Sequence, residues 1–110
     1  MTIIEIMAAL KAEILTGNPH LSEQVFSGYA SDLLSDVLAN AQAGQIWFTV
    51  QTNSNVAALA TLKKISVVVF TGSQRPESDT LTKATRENLV LLMTAFNTFE
   101  AIKILTKAGL

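Results

Sequence analysis

Three times in its second half, this chain runs a short, almost wholly apolar stretch into a polar turn and then into a helix-forming segment. Ile46-Trp47-Phe48-Thr49-Val50 leads into Gln51-Thr52-Asn53-Ser54-Asn55 and then Val56 to Lys64. Val67-Val68-Val69-Phe70 leads into Thr71-Gly72-Ser73-Gln74-Arg75-Pro76 and a helix to about Arg86. Leu89 to Met93 leads into Thr94-Ala95-Phe96-Asn97 and a helix to the C-terminus. Strands that are apolar at successive residues are buried on both faces, as in a parallel sheet covered by helices. In such sheets ligands bind outside the C-terminal ends of the strands. The pattern predicts one small α/β domain over residues 1–110, a three-layer α/β/α arrangement with a mainly parallel sheet.

The first half fits the same plan. Ile3, Ile6, Met7 and Leu10 fall on one helical face, so residues 2–10 predict a short amphipathic helix. Residues 12–15 predict a short strand, with Glu13 marking an edge or an end. Thr16-Gly17-Asn18-Pro19 breaks the chain into a loop. Residues 24–29 predict a second strand, ended by Gly28. Ser31 stands where an N-cap belongs, with Asp32 in the first turn. Leu33, Leu34, Val37, Leu38 and Ala41 form the clearest helical stripe, closed by Gly44. The 77–86 helix has only Leu81 and Ala84 as strong apolar positions and is expected to be the most exposed. Asn97 and Glu100 approximate a capping box, and Glu100 and Lys103 are spaced to pair.

Composition narrows the function classes. Charged residues are 15% of the chain, against about 25% in typical soluble domains. Either Ser, Thr, Asn and Gln solvate the surface, or part of it is covered by a partner or a second copy, and a homodimer is expected. A net charge of -1 provides no basic stripe for nucleic acid. No apolar run is long enough to span a membrane, and the N-terminus lacks the pattern of a signal peptide, which makes the cytoplasm the expected compartment. With no cysteine there is no thiolate nucleophile and no Cys-ligated metal. No cofactor or metal is expected.

The segment Gly28-Tyr29-Ala30-Ser31-Asp32-Leu33-Leu34-Ser35-Asp36-Val37-Leu38-Ala39 resembles the most recognisable part of the DRTGG domain. That domain is similar to the N-terminal domain of HPr kinase/phosphorylase, and it occurs beside CBS domains, in long phosphotransacetylases and as stand-alone proteins. Segments 46–55 and 67–76, and the ending Thr94 to Glu100, fit the same pattern, so the resemblance covers nearly the whole chain. The name-giving motif is degenerate here. Gln51-Thr52-Asn53 stands where the family has Asp-Arg-Thr, and Thr71-Gly72-Ser73 stands where it has Thr-Gly-Gly. The resemblance implies a regulatory or ligand-sensing module with no established catalytic activity.

Several residues are candidates for chemistry. Gln51, Thr52 and Asn53 lie at a strand end and helix start, where backbone N–H groups and the helix dipole suit a phosphate. Capping of the helix by Asn53 or Thr52 explains them more simply. Thr71, Gly72, Ser73, Gln74 and Arg75 form the better binding candidate. Gly72 permits positive φ or close approach, Ser73 and Gln74 can hydrogen-bond, and Arg75 can hold an anion bidentately. A turn that merely redirects the chain into Pro76 is the competing account. Asp32 and Asp36 are four apart, but they lack a local His or third carboxylate for metal or acid–base work. His20, the only histidine, follows a breaker pair and reads as a surface residue. Trp47 and Phe48 should pack on opposite faces of the sheet, and Phe96 and Phe99 should make a staple or core contact, or else line a pocket or dimer seam.

These observations predict a non-catalytic regulatory or small-ligand-sensing domain, binding a phosphorylated metabolite or nucleotide at the strand ends. The alternative is an interaction adaptor for a metabolic or redox enzyme complex. A small enzyme acting through Arg75 and Asp32 is the weakest reading, because no base or nucleophile is paired with them.

Overall fold

The computed structural model describes residues 1–17 and 21–110. His20, with Asn18 and Pro19, lies outside the described residues. The elements run α1 (Ile3–Leu10), β1 (Glu13–Thr16), β2 (Gly28–Ala30), α2 (Leu34–Asn40), β3 (Ile46–Thr49), α3 (Asn55–Leu62), β4 (Val67–Phe70), α4 (Ser78–Arg86), β5 (Val90–Met93) and α5 (Thr98–Lys107). The strand order is β1-β5-β4-β3-β2. Strands β2 to β5 are mutually parallel, and β1 joins the edge antiparallel to β5. Glu13 therefore begins an edge strand.

Alternation along β3, β4 and β5 divides the core into two layers. One layer packs Ile46, Phe48, Val67, Val69, Val90 and Leu92 against Ile3, Ile6 and Leu10 of α1 and Ala101 and Leu105 of α5. The other packs Trp47, Val68, Phe70 and Leu91 against α2, α3 and α4. The adjacent aromatics Trp47 and Phe48 thus serve opposite layers, as expected. The small residues Ala57, Ala60 and Ala84, all buried, let α3 and α4 lie close to the sheet.

Several local expectations are corrected. The second strand is shorter and begins, rather than ends, at Gly28. Val25 instead exchanges both backbone hydrogen bonds with Met1, at 3.1 and 2.7 Å, which draws residues 24–25 onto the N-terminus. Gly28 is where the chain can come against β3, because a Cβ there would lie 2.7 Å from Ile46 Cγ2. Helix α2 starts later than the stripe implied, with Leu33 as its N-cap. It stops at Asn40, so Gly44 (φ +83°) sits in the following turn. Of its stripe, only Val37 and Ala41 are buried, while Leu33 and Leu38 are exposed. The most sparsely buried helix is consequently α2, with Val37 alone, rather than α4, which buries Thr80 and Ala84. At α5, Asn97 Oδ1 accepts from Glu100 N, but among the described residues Glu100 and Lys103 form no ion pair. Phe99 is 76% exposed and makes no core contact, whereas Phe96 packs on the α1–α5 layer.

Candidate functional site

The four parallel strands step in one direction across the sheet, so α2, α3 and α4 share a face. After β5 the chain crosses to the other face as α5. The loops after β4 and β5 therefore leave the sheet on opposite sides, which is the divergence that opens a binding crevice in α/β sheets. Here the crevice is closed. Gly72 N donates to Phe96 O at 2.8 Å and Ser73 N to Thr94 O at 2.9 Å. The buried Thr71 hydroxyl meets Thr98 Oγ1 at 2.8 Å.

The 71–74 loop is a tight turn. Gly72 and Ser73 both have positive φ, +63° and +57°, and Gln74 N donates back to Thr71 O. This is the φ signature of a type I′ turn, which favours glycine at both central positions. It explains the family's Thr-Gly-Gly pattern in physical terms, with Ser73 tolerating a conformation that a second glycine would adopt freely. Nothing lies within 4 Å of a Cβ built on Gly72, so this glycine serves the backbone conformation and not a close approach. Thr71 N is also used, donating to Thr49 O. Every backbone N–H from Thr71 to Gln74 has a partner within the protein. The side chains of Ser73 and Gln74 remain exposed. Arg75 pairs with Glu13 at 2.8 Å, reaching from the β4 loop to the edge strand β1.

The neighbouring turn after β3 is built differently. Val50 N donates to Asp32 Oδ1, Gln51 N to Thr49 Oγ1, and Asn55 N to Asn53 Oδ1. The N–H groups of Thr52, Asn53 and Ser54 have no partner among the described residues. They sit at the start of α3, whose N-cap Ser54 makes no side-chain cap bond. Capping by Thr52 is thus not seen, whereas Asn53 accepts from the N–H of Asn55, the first residue of α3, as the capping account expects. On its other side the turn is anchored to α4, where Glu77 N and Thr80 Oγ1 both donate to Thr52 O, at 3.0 and 2.7 Å. Candidate residues 51–53 and 71–75 therefore lie side by side on adjacent strand ends.

Asp32 belongs to this end of the sheet but not to a helix. Its Oδ1 accepts from Thr49 Oγ1 at 2.9 Å and Val50 N at 2.8 Å, tying the β2 end to the β3 end. Asp36 is separate from it. Its carboxylate accepts from Tyr29 Oη at 2.9 and 3.0 Å and from Asn40 Nδ2 at 2.9 Å. The Ser31 hydroxyl, the Asn40 amide and the Tyr29 phenol hold Asp36 below the usual carboxylate range. Asp36 in turn raises the Tyr29 phenol, with burial adding to the effect. The two aspartates do different structural jobs and form no pair. Among the described residues no group of three or more His, Cys, Asp or Glu is placed to hold a metal ion, and no helix is long and apolar enough to cross a membrane.

Sequence reasoning missed three participants: Glu13 as the partner of Arg75, Thr98 as the partner of Thr71, and Thr49 as the buried link between Asp32 and Gln51. Each is joined only by strand order, which single residues do not announce. A fourth omission was legible. Thr2 and Glu5 form a complete capping box on α1, and their spacing is the signature of one.

No curated protein matches the chain. Among solved structures, it is similar to the CBS and DRTGG domains of the regulatory region of Clostridium perfringens pyrophosphatase, a structure complexed with the activator diadenosine tetraphosphate. The TM-score is 0.81 at 16% identity, covering 97% of this chain and 46% of that one. The present chain thus spans about half of that regulatory region, and the likeness is one of fold. The family model for the DRTGG domain matches residues 5–108. With the strand–turn–helix units and the glycine-favouring turn at 71–74 in place, the chain belongs to the DRTGG domain family.

Proposed function

We propose that this domain is a non-catalytic regulatory module that senses a small phosphorylated ligand, a nucleotide or phosphorylated metabolite, at the C-terminal ends of its parallel strands. The observation that carries the reading is the run of three unpartnered N–H groups, Thr52 to Ser54, at the start of α3. Such donors at a helix N-terminus suit phosphate oxygens. Gln51, Asn53, Ser73 and Gln74 surround this turn with amide and hydroxyl groups, and Asp32 is placed to accept a ligand hydroxyl through Oδ2. Arg75 is held by Glu13 and would have to exchange that exposed partner for a phosphate, a change of small cost for a surface ion pair. The pyrophosphatase regulatory region with bound diadenosine tetraphosphate makes adenine nucleotides the first compounds to try. Isothermal titration against diadenosine tetraphosphate, ATP, AMP and common sugar phosphates tests the reading; heat from none of them would remove its support.

A second reading, self-association or docking onto a metabolic or redox enzyme as an adaptor, is favoured by one specific feature. Helix α3 carries no charged residue; its last residue, Leu62, is 69% exposed, and beside it Leu33 and Leu38 are 65% and 50% exposed. Leu38 and Leu62 flank a groove of about 330 Å³ between α2 and α3. Of the two partners, a second copy is preferred because small α/β domains often pair, and it gives a homodimer across the α2–α3 face. Sedimentation velocity checks it: the wild type should dimerise and Leu38→Asp should not. A monomer at every concentration would remove the dimer, leaving co-purification from the native host to test the adaptor.

A further inference from the structure

Beginning in the first turn of α3 and running away from the strand-end turns, two grooves meet between α3 and α4. The first, about 270 Å³, has a floor of Ala57, Ala58 and Thr61 and a wall of Lys83, Arg86 and Glu87. The second, about 260 Å³, continues from Thr61 and Glu87 to Lys64, Ser66 and Asn88, before the starts of β4 and β5. Together they reach the size of a small-molecule site. None of the residues at 51–54 or 71–75 lines either groove.

The floor contains an anomaly. Thr61 Oγ1 is the one buried side-chain oxygen or nitrogen among the described residues that lacks a hydrogen-bond partner. Three other helical threonines turn the hydroxyl onto a carbonyl of the preceding turn, Thr82 to Ser78 O, Thr85 to Leu81 O and Thr106 to Lys103 O, and Thr80 and Thr98 find partners outside their helices. Thr61 does neither. Helical threonine divides between two χ1 rotamers, so a turn of about 120° about χ1 gives the Thr61 hydroxyl a second staggered position. A buried polar group left unpartnered calls for an explanation, and a ligand at this floor supplies one.

The wall fixes the class of ligand. Lys64, Lys83 and Arg86 form no ion pair among the described residues. Cations at helix C-termini are ordinary, so these three alone would indicate nothing. Here they border a groove with an unpartnered hydroxyl in its floor. Against these three cations the lining sets two carboxylates, Glu87 and Glu23, the latter accepting from Ser66 Oγ at 2.7 Å. The balance favours a small ligand of low charge, and the alanine floor favours an apolar body.

We propose that the α3–α4 cleft is a second binding site, for a small anion with an apolar body such as a carboxylate or phosphate monoester, held by Lys83 and Arg86 with Thr61 hydrogen-bonded beneath it. The test is a ¹⁵N NMR titration of the whole chain at low salt with phenyl phosphate, and with inorganic phosphate for comparison. Shifts should centre on Thr61, Lys83, Arg86 and Lys64, and phenyl phosphate should bind more tightly than phosphate. Arg86→Ala should weaken binding about tenfold, the scale of losing one charged hydrogen bond. Thr61→Val, isosteric and so expected to fold, should weaken binding while leaving thermal stability equal or higher, because it removes the unpartnered hydroxyl. Shifts confined to residues 51–54 would support the strand-end site and overturn this one. Unchanged binding in Thr61→Val and Arg86→Ala, or no saturable shifts at all, would also overturn it.

Discussion

The turn after β3 and the loop after β4 sit side by side on adjacent parallel strands, yet they handle their backbone donors in opposite ways. The 71–74 loop directs all four N–H groups inward, to Thr49, Phe96, Thr94 and Thr71 itself. The 52–54 turn leaves three consecutive N–H groups without a partner among the described residues. The first arrangement makes a rigid joint that closes the crevice between β4 and β5. The second leaves donors at a helix start that the fold itself does not use. Glycine and polar residues at a strand end therefore do not identify a binding loop by themselves; what matters is where the N–H groups already point.

If that contrast is right, the two segments should respond differently to substitution. The largest effect is expected for Thr71→Val. It keeps the shape but strips Thr98 Oγ1 of its partner in a part-buried setting, for a loss of about 1–3 kcal/mol in denaturant unfolding. Gly72→Ala should come next, at about 1–2 kcal/mol, because its cost is the left-handed backbone and not a clash. Thr52→Ala should change stability by less than about 0.5 kcal/mol, since its hydroxyl makes no hydrogen bond among the described residues. A large loss for Thr52→Ala, or none for Thr71→Val, would erase the distinction between joint and open turn.

The pH dependence sharpens the comparison from outside the two turns, through the Tyr29–Asp36 contact that holds α2 on β2. Asp36 has a lowered folded pKa. Its contribution is therefore present above the ordinary aspartate value of about 3.9 and is lost as pH falls through the lower folded value. Tyr29 has a raised folded pKa. Its contribution is present below the ordinary tyrosine value of about 10 and is lost as pH rises through the higher folded value. Asp36→Asn should flatten the acid limb of a stability–pH curve and leave the joint at 71–74 unaffected. Both groups are partly solvent-exposed, so this is the smallest of the expected effects.

Much of the fold was legible because burial on both faces leaves a simple mark. Val67 to Phe70, with no polar residue and a glycine-bearing turn directly after it, reads as a central strand, and the polar turns after it and its neighbours mark the element order. Gly28 to Ala30 was misjudged because an edge strand of three residues has little pattern, and because Val25 finds its partners at the chain's own N-terminus. The stripe from Leu33 to Leu38 looked like core, yet two of its leucines face outward. Periodicity shows that a face is apolar but not what covers it. At the candidate site, the residue types were visible and their wiring was not. Asp32 read as a first-turn residue, whereas it bridges Thr49 and Val50 across two strands. The pairings of Arg75 with Glu13 and Thr71 with Thr98 span 62 and 27 positions, and they follow from the strand order alone.

The central claim is that the open turn at the start of α3 receives a phosphorylated ligand while the neighbouring loop holds the frame. It is tested most directly by amide chemical shifts during titration with diadenosine tetraphosphate and ATP. The account predicts saturable, downfield movement of the Thr52, Asn53 and Ser54 amides, with those of Gly72 to Gln74 nearly still. Saturable binding that moves the 72–74 amides and leaves 52–54 unchanged would contradict it.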